Sequence, residues 1–477
     1  MIVENVGAFW SSLPAASIWV LLFVFALIVL QEAVNGFHDA ANAVATVIYS
    51  NSLKPGEAIG LSVVCNFVGV LLGGTAVAFG MVFLLPKEMV AGINTIAEAS
   101  LMLALVLTAV LWNLATWWYG IPNSTTHTYV GSIIGVSMAH ALLVGTPVRE
   151  AINWGQGEKI ILTLFVSPIL GGVLAWFLYK LIKRLLRDPA MLEPHTEGVI
   201  PPVGVRGPLI GGLVGVSVLH GTNDGQKSIG LMLMVLMGLM PGLYAIDPVK
   251  DQASYEHAVA ITEEIESVVV RLQDNEAVGS RARELVQELE HIKEVAKRDF
   301  ENKPLSEEEK IRFRAEILDV HAAVGKTLKC ADLLGLLSAE EKRKMQHAHD
   351  ALVRLVEAVP FWLIFLSAAA LGVGTSVGYK KIVATLGEKM GSENMSPAQG
   401  LAAQTEAVAS IAAGDLGGAP VSTTHVLTSG VAGAVVSSGD SLQWNTLRAI
   451  VVTWFTTLPG TVVLSFGMGI VLHTALV

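Results

Sequence analysis

The sequence predicts an all-α protein, a polytopic bundle of transmembrane helices made of two related halves, with broken helices and two re-entrant hairpins. Three observations predict it. The 477 residues are 52% hydrophobic and only 15% charged, with a mean hydropathy of +0.58. Soluble chains are about a quarter charged, so the apolar excess has to face lipid. Long apolar stretches recur along the chain, some longer and some shorter than one crossing requires. And two polar motifs each occur twice, in the same order.

Crossing a bilayer takes roughly 20 mostly apolar residues. Apolar stretches run at about 16–48, 57–85, 98–120, 128–145, 158–182, 206–246, 358–379, 397–413, 426–438 and 446–474. The first lacks a basic flank and a clear cleavage site, which fits a retained span rather than a removed signal. Those near 16–48 and 206–246 exceed one simple span, and those at 397–413 and 426–438 fall short, which predicts broken helices and hairpins. The 46 glycines suit close helix packing in a bilayer. Residues 247–357 differ: charged stretches such as Thr262-Glu-Glu-Ile-Glu and Glu341-Lys-Arg-Lys-Met carry apolar residues at helical spacing, as in a soluble helical insert. The predicted organisation is a first transmembrane repeat at 1–190, the start of a second at 205–246, the insert at 247–357 and the remainder of the second repeat at 358–477.

Much of the net charge of −10 sits in the insert and says little about partners. No strongly basic region suggests nucleic acid. Cys65 and Cys330 lack metal-ligand spacing and read as free thiols. Lys180, Lys183, Arg184, Arg187 and Arg206, and again Lys380, Lys381 and Lys389, mark loops expected on the cytoplasmic side. Simple span counting from those loops would place the insert outside.

The repeats carry the chemistry. Gly36-Phe-His-Asp-Ala-Ala-Asn42 matches Gly221-Thr-Asn-Asp-Gly-Gln-Lys227 at glycine and aspartate. Pro122-Asn-Ser-Thr-Thr-His127 matches Pro420-Val-Ser-Thr-Thr-His425 at five of six positions. The order is one of each, then one of each again, which is a duplicated unit. Such matching is compatible with a parallel or an inverted axis between the halves.

In the Ser-Thr-Thr-His segments, proline ends one helix and a hydroxyl residue caps the next. A helix N-terminus offers unpaired N–H groups and a positive dipole end, an oxyanion site. Two such termini, one per half, could face one tetrahedral anion; ordinary capping is the plainer reading. Asp39 and Asp224 fall in apolar runs, and intramembrane carboxylates are costly enough to suggest function. Beside an anion they make sense when a cation or proton enters too. Asn42 can offer a neutral carbonyl or donor. Lys227, in the corresponding place, can pair with Asp224, bind the anion or replace a cation. His38, next to Asp39, is a candidate proton carrier, and a structural histidine is the alternative. His127 and His425 are expected to brace the hairpins. Glu32 and Glu406 can each complete a cation site or hold a helix pair, with Glu406 the stronger candidate because it leads into the second hairpin. Trp112, Trp117, Trp118, Trp444 and Trp454 are expected as interfacial anchors.

At these four segments the chain resembles the PiT family of inorganic phosphate transporters, and the resemblance covers nearly all of it outside the insert. The first copy and His220-Gly-Thr-Asn-Asp-Gly-Gln-Lys227 are most similar to the bacterial low-affinity branch, which resembles a proton-driven carrier of phosphate or of neutral metal–phosphate complexes. The resemblance implies inverted repeats, a homodimer in the lipid bilayer of the bacterial inner membrane, and no cofactor beyond a divalent cation that can travel with the phosphate. It implies phosphate contacts from Ser124, Thr125, Ser422 and Thr423, with Asp39, Asn42 and Asp224 lining the same site. His38 and Lys227 stand where the sodium-coupled pattern has asparagine, which favours protons as the coupling ion. Sodium-coupled phosphate or sulfate symport on the same fold is the alternative. A membrane-embedded hydrolase is the rival of another class. It is disfavoured because the motif is duplicated and no Gly-x-Ser-x-Gly elbow is present. A phosphate channel is a further rival. The expectation is therefore a transporter, not an enzyme.

Overall fold

The computed structural model describes residues 15–86, 89, 95–186, 188–194, 200–240, 251–300, 307–354, 359–377, 382–385, 390–391, 394–418 and 420–477. Among them there is no strand, only an isolated bridge between Gly391 and Leu442. The principal helices are α1 (Ala15–Tyr49), α2 (Pro55–Leu72), α3 (Ala76–Val82), α4 (Ile96–Trp118), α5 (Thr125–Val144), α6 (Trp154–Leu186) and α7 (Val203–Leu239). Then follow α8 (Asp251–Val269), α9 (Gly279–Phe300), α10 (Glu307–Leu333), α11 (Ala339–Arg354), α12 (Phe361–Ser376), α13 (Pro397–Leu416), α14 (Thr423–Ser438) and α15 (Trp444–Leu476). Among the described residues, seven helices are long and apolar enough to cross a membrane: α1, α2, α4, α5, α6, α7 and α15.

The chain divides into two compact units, one of residues 1–18, 87–95 and 233–360, the other of residues 19–86, 96–232 and 361–477. In the first, α8 packs on α9 and α11, and α10 on the same two. Ile261, Ile265, Val268 and Leu272, or Phe313, Ile317, Val320 and Val324, recur at steps of three and four and close one core. That spacing puts them on one helix face.

In the second unit the halves exchange partners. The α4–α5 hairpin of the first half packs on α15 of the second, and the α13–α14 hairpin packs on α6. Glycines set these contacts. A Cβ on Gly131 or Gly135 of α5 would overlap the Thr461 or Ser465 hydroxyl of α15, and one on Gly433 of α14 would overlap the Gly172 carbonyl of α6. Small residues let helix backbones approach in a bilayer. The same exchange occurs at the Gly-x-x-Asp segments. A Cβ on Gly36 of α1 would overlap the Leu371 carbonyl oxygen of α12, and one on Gly221 of α7 the Asn66 carbonyl oxygen of α2. The glycine of each motif is thus a helix crossing point.

One expectation needs correction. The over-long apolar stretches near 16–48 and 206–246 are expected to hold broken helices, but the Gly-x-x-Asp segments within them lie in continuous helices of 35 and 37 residues. Polar side chains there satisfy one another sideways, and the backbone ladder need not open. The break falls between α2 and α3, at 73–75. The hairpins follow the repeat closely. Ser124 and Ser422 cap α5 and α14 by accepting the N–H of His127 and His425. Both helices end on a glycine in the left-handed region, Gly145 at φ 75° and Gly439 at φ 98°, where a side chain would be strained.

Candidate functional site

Four helices of the second unit converge on a buried carboxylate pair. Asp39 comes from α1 and Asp224 from α7, and both are sealed from solvent. His220, one turn before Asp224 on α7, stands between them. Its Nε2 is 3.5 Å from Asp39 Oδ2 and 3.8 Å from Asp224 Oδ2. The other ring nitrogen lies 3.0 Å from Asn66 Oδ1, and the Asn66 amide donates in turn to Thr375 at 2.9 Å. That chain fixes the plane of the imidazole. Lys227 Nζ pairs with Asp224 Oδ1 at 2.8 Å.

The tips of both hairpins reach this cluster. Thr125, the first residue of α5, donates to Asp39 Oδ2 and Asp224 Oδ2, at 3.3 Å each. Thr424 of α14 donates to Asp39 Oδ1. Thr126 accepts from Lys227 at 2.6 Å and donates to the Val421 carbonyl at 3.2 Å, which ties one hairpin tip to the other. Both helix N-termini therefore meet the carboxylates with their positive ends. Two carboxylates face one ammonium, so the charge is −1 with a neutral imidazole and zero with a protonated one. Asp39, His220 and Asp224 each offer a ligand atom, all within 4.8 Å of one another, so the same groups could hold a metal ion. Carboxylate oxygen and imidazole nitrogen suit a divalent cation.

The remaining candidates sort by position. The Ser124 and Ser422 hydroxyl oxygens accept the backbone caps, and Ser124 Oγ also lies 2.8 Å from His127 Nδ1. Thr423 is buried beside Thr424. Asn42 is on α1, and its side chain lies outside the described residues. His38 points away from the carboxylates, with Nε2 2.6 Å from the Asn113 carbonyl oxygen of α4. Glu406 lies apart from the cluster, at the meeting of α13, α6 and α14. Its Oε1 accepts from Ser410 at 2.7 Å, and it abuts Gly171 and Gly430. His127 and His425 do brace the hairpins, with ring centroids 4.3 Å apart. Of the tryptophans expected at the interface, the half-buried Trp454 lies against His425 with ring centroids 4.2 Å apart and the half-buried Trp112 donates to Thr457 at 3.3 Å, while Trp118 and Trp444 are exposed.

Sequence reasoning missed His220, Thr126 and Thr424 as members of the cluster. For His220 the signal was present: it precedes Asp224 by four residues, the spacing that shares a helix face.

Comparison with known proteins gives a consistent result. The model of a family described as the phosphate transporter family matches residues 35–465. The chain is 35% identical to the low-affinity inorganic phosphate transporter PitA of Escherichia coli K12, covering 94% of this chain and 95% of that protein. It is 35% identical to PitB of the same strain with the same coverage. It is also 32% identical to a low-affinity inorganic phosphate transporter of Buchnera aphidicola from Acyrthosiphon pisum, again over 94% and 95%. A solved structure described as the sodium-dependent phosphate transporter superposes with a TM-score of 0.52 at 18% identity, covering 95% of this chain and 98% of that one. At that identity the likeness is one of fold.

Proposed function

This chain belongs to the phosphate transporter family, and we propose that it imports inorganic phosphate by proton symport, with the phosphate free or as a neutral complex with a divalent cation. The observation that carries this reading is the convergence of hydroxyls from both hairpin tips on Asp39, beside Asp224 and His220. Donors from opposite halves surround one point, as a tetrahedral anion requires.

Charge then dictates the need for a partner. A phosphate about 4 Å from an uncompensated carboxylate is repelled by roughly 4 kcal/mol per unit charge at an effective dielectric of 20. A proton taken up by the cluster cancels its excess negative charge. A divalent cation held by Asp39, His220 and Asp224 overcompensates it and leaves a place for the anion. Thr125 and Thr424 can then turn from the carboxylates to phosphate oxygens. Ser124, Ser422 and Thr423 add hydroxyls, Asn42 an amide and Lys227 a cation. His38 sits against a carbonyl, so His220 takes the proton-carrying role proposed for it. Glu406 can add a separate carboxylate to the coupling.

The halves are read as inverted repeats. Asp39 of α1 meets His220 of α7, whereas Glu32, two turns earlier in α1, meets Ser228, two turns later in α7. Corresponding helices thus run antiparallel where they meet, which supports rocking of one half against the other about a fixed site. The family resemblance further supports a homodimer in the bacterial inner membrane.

The test is uptake of radiolabelled phosphate by proteoliposomes under an imposed pH gradient, an imposed sodium gradient or neither, with excess sulfate as competitor. Uptake driven by the pH gradient and indifferent to sulfate is expected. Uptake driven by sodium alone would overturn the coupling, and competition by sulfate would overturn the cargo.

A further inference from the structure

One intramembrane carboxylate is not used by the phosphate site. Glu32 of α1 is fully buried. Its Oε2 accepts from Ser228 of α7 at 2.5 Å, and Ser228 Oγ is 3.0 Å from the Tyr129 hydroxyl of α5. Its Oε1 has no hydrogen-bond partner among the described residues. Asn35, three residues on, is also fully buried, and neither atom of its amide is partnered among them. Glu32, Asn35 and Asp39 follow one another at steps of three and four, so they form one stripe of α1. The stripe leads into the carboxylate cluster. On α7, Ser228 follows Asp224 by one turn.

Buried polar atoms without partners are rare and costly. Here three of them lie along one helix face, one on the lone carboxylate itself and two on Asn35, between it and a site that must gain and lose charge. No cation is paired with Glu32 among the described residues. The titratable groups that face it are Tyr129 from α5 and, further along α7, His220, Asp224 and Lys227. α12, which crosses α1 at Gly36, has no titratable side chain.

We propose that Glu32 is a second proton-binding site, linked along the Glu32–Asn35–Asp39 stripe to the Asp39–His220–Asp224 cluster. This rests on the proton-symport reading above. The carboxylic acid of Glu32 gives up its proton: the O–H bond breaks there and an O–H bond forms on a bridging water, which passes one of its own protons on towards the Asp39–His220–Asp224 cluster. Glu32 is left as a carboxylate stabilised by the Ser228 hydroxyl. Asn35 can hold the water that bridges them, since its amide donates and accepts. Storing the proton away from the anion lets the cluster change charge without opening to solvent.

The experiment compares wild type, Glu32→Gln and Glu32→Asp in proteoliposomes. Net phosphate uptake driven by a pH gradient is measured beside phosphate–phosphate counterflow, which needs no net proton movement. Glu32→Gln is expected to lower net uptake at least tenfold and counterflow less than threefold, and Glu32→Asp to recover part of the net uptake. Net uptake by Glu32→Gln within twofold of wild type overturns the proposal. So does a parallel fall of both activities in both variants, which marks a purely structural carboxylate. Wild-type uptake indifferent to the pH gradient overturns the coupling reading itself. Wild-type uptake that follows the gradient beside an unaffected Glu32→Gln overturns only the role of Glu32.

Discussion

Lys227 Nζ lies 2.8 Å from Asp224 Oδ1, one turn away on the same helix, and neither side chain reaches solvent. The ammonium is the positive partner that faces the two carboxylates. Replacing one partner of a buried ion pair leaves an uncompensated charge and costs about 3–5 kcal/mol, whereas replacing both can be nearly neutral. Lys227→Met is therefore expected to lower the unfolding temperature of the purified protein clearly. Adding Asp224→Asn should recover much of the loss. Equal unfolding temperatures for wild type and Lys227→Met would show that the pair does not hold the site together.

Thr424 and Thr125 approach Asp39 from different hairpins. A hydrogen bond to a charged group contributes about 1.5–3 kcal/mol. Valine keeps the shape of threonine and removes the hydroxyl. Thr424→Val is expected to lower phosphate uptake about tenfold or more, and Thr125→Val at least as much, because Thr125 also reaches Asp224 at 3.3 Å. Initial uptake rates, normalised to protein in the vesicles, check this. Wild-type rates in both variants would remove the hairpin hydroxyls from the transport step.

The duplicated motifs made the hairpin caps and the carboxylate pair legible in the sequence. Composition made the membrane legible. The neighbours of the carboxylates were less so, for a geometric reason. His38 adjoins Asp39 in sequence, but successive residues of an α-helix point about 100° apart, so it faces Asn113 instead. His220 is four residues from Asp224 and shares its face. Expecting a broken helix near 206–246 hid that periodicity. The contact of Asp39 with Thr424 joins residues from different halves, and no local pattern announces it.

The glycines of the Gly-x-x-Asp segments give a prediction about packing. A Cβ on Gly36 would meet the α12 backbone and one on Gly221 the α2 backbone. A backbone cannot swing aside as a side chain does. Gly36→Ala and Gly221→Ala are each expected to cost about 1–3 kcal/mol or more, read as a lower unfolding temperature and lower yield of folded protein. At Gly211, also on α7, an added Cβ would meet nothing within 4 Å among the described residues. There alanine should be neutral or stabilising by up to about 1 kcal/mol from helix propensity. Equal effects at Gly211 and Gly221 would refute the crossing-point role.

The insert carries its own pH response. His321 of α10 stacks on His349 of α11 at 3.8 Å between ring centroids, and its Nδ1 lies 3.0 Å from the His349 carbonyl oxygen. Burial, and then the neighbouring His349, push the His321 pKa down from 6.5 to about 4. The unfolded segment therefore binds more protons than the folded one between these values. Stability must fall as pH drops below about 6.5 and level off below about 4. The loss from this residue at pH 5 is at most about 2 kcal/mol. Hydrogen exchange of α10 and α11 peptides in the full-length protein, corrected for intrinsic rates, should show faster opening at pH 5 than at pH 7.5. His321→Gln should flatten that dependence, because glutamine has no proton to gain. A slope unchanged in the variant would assign the response to another group.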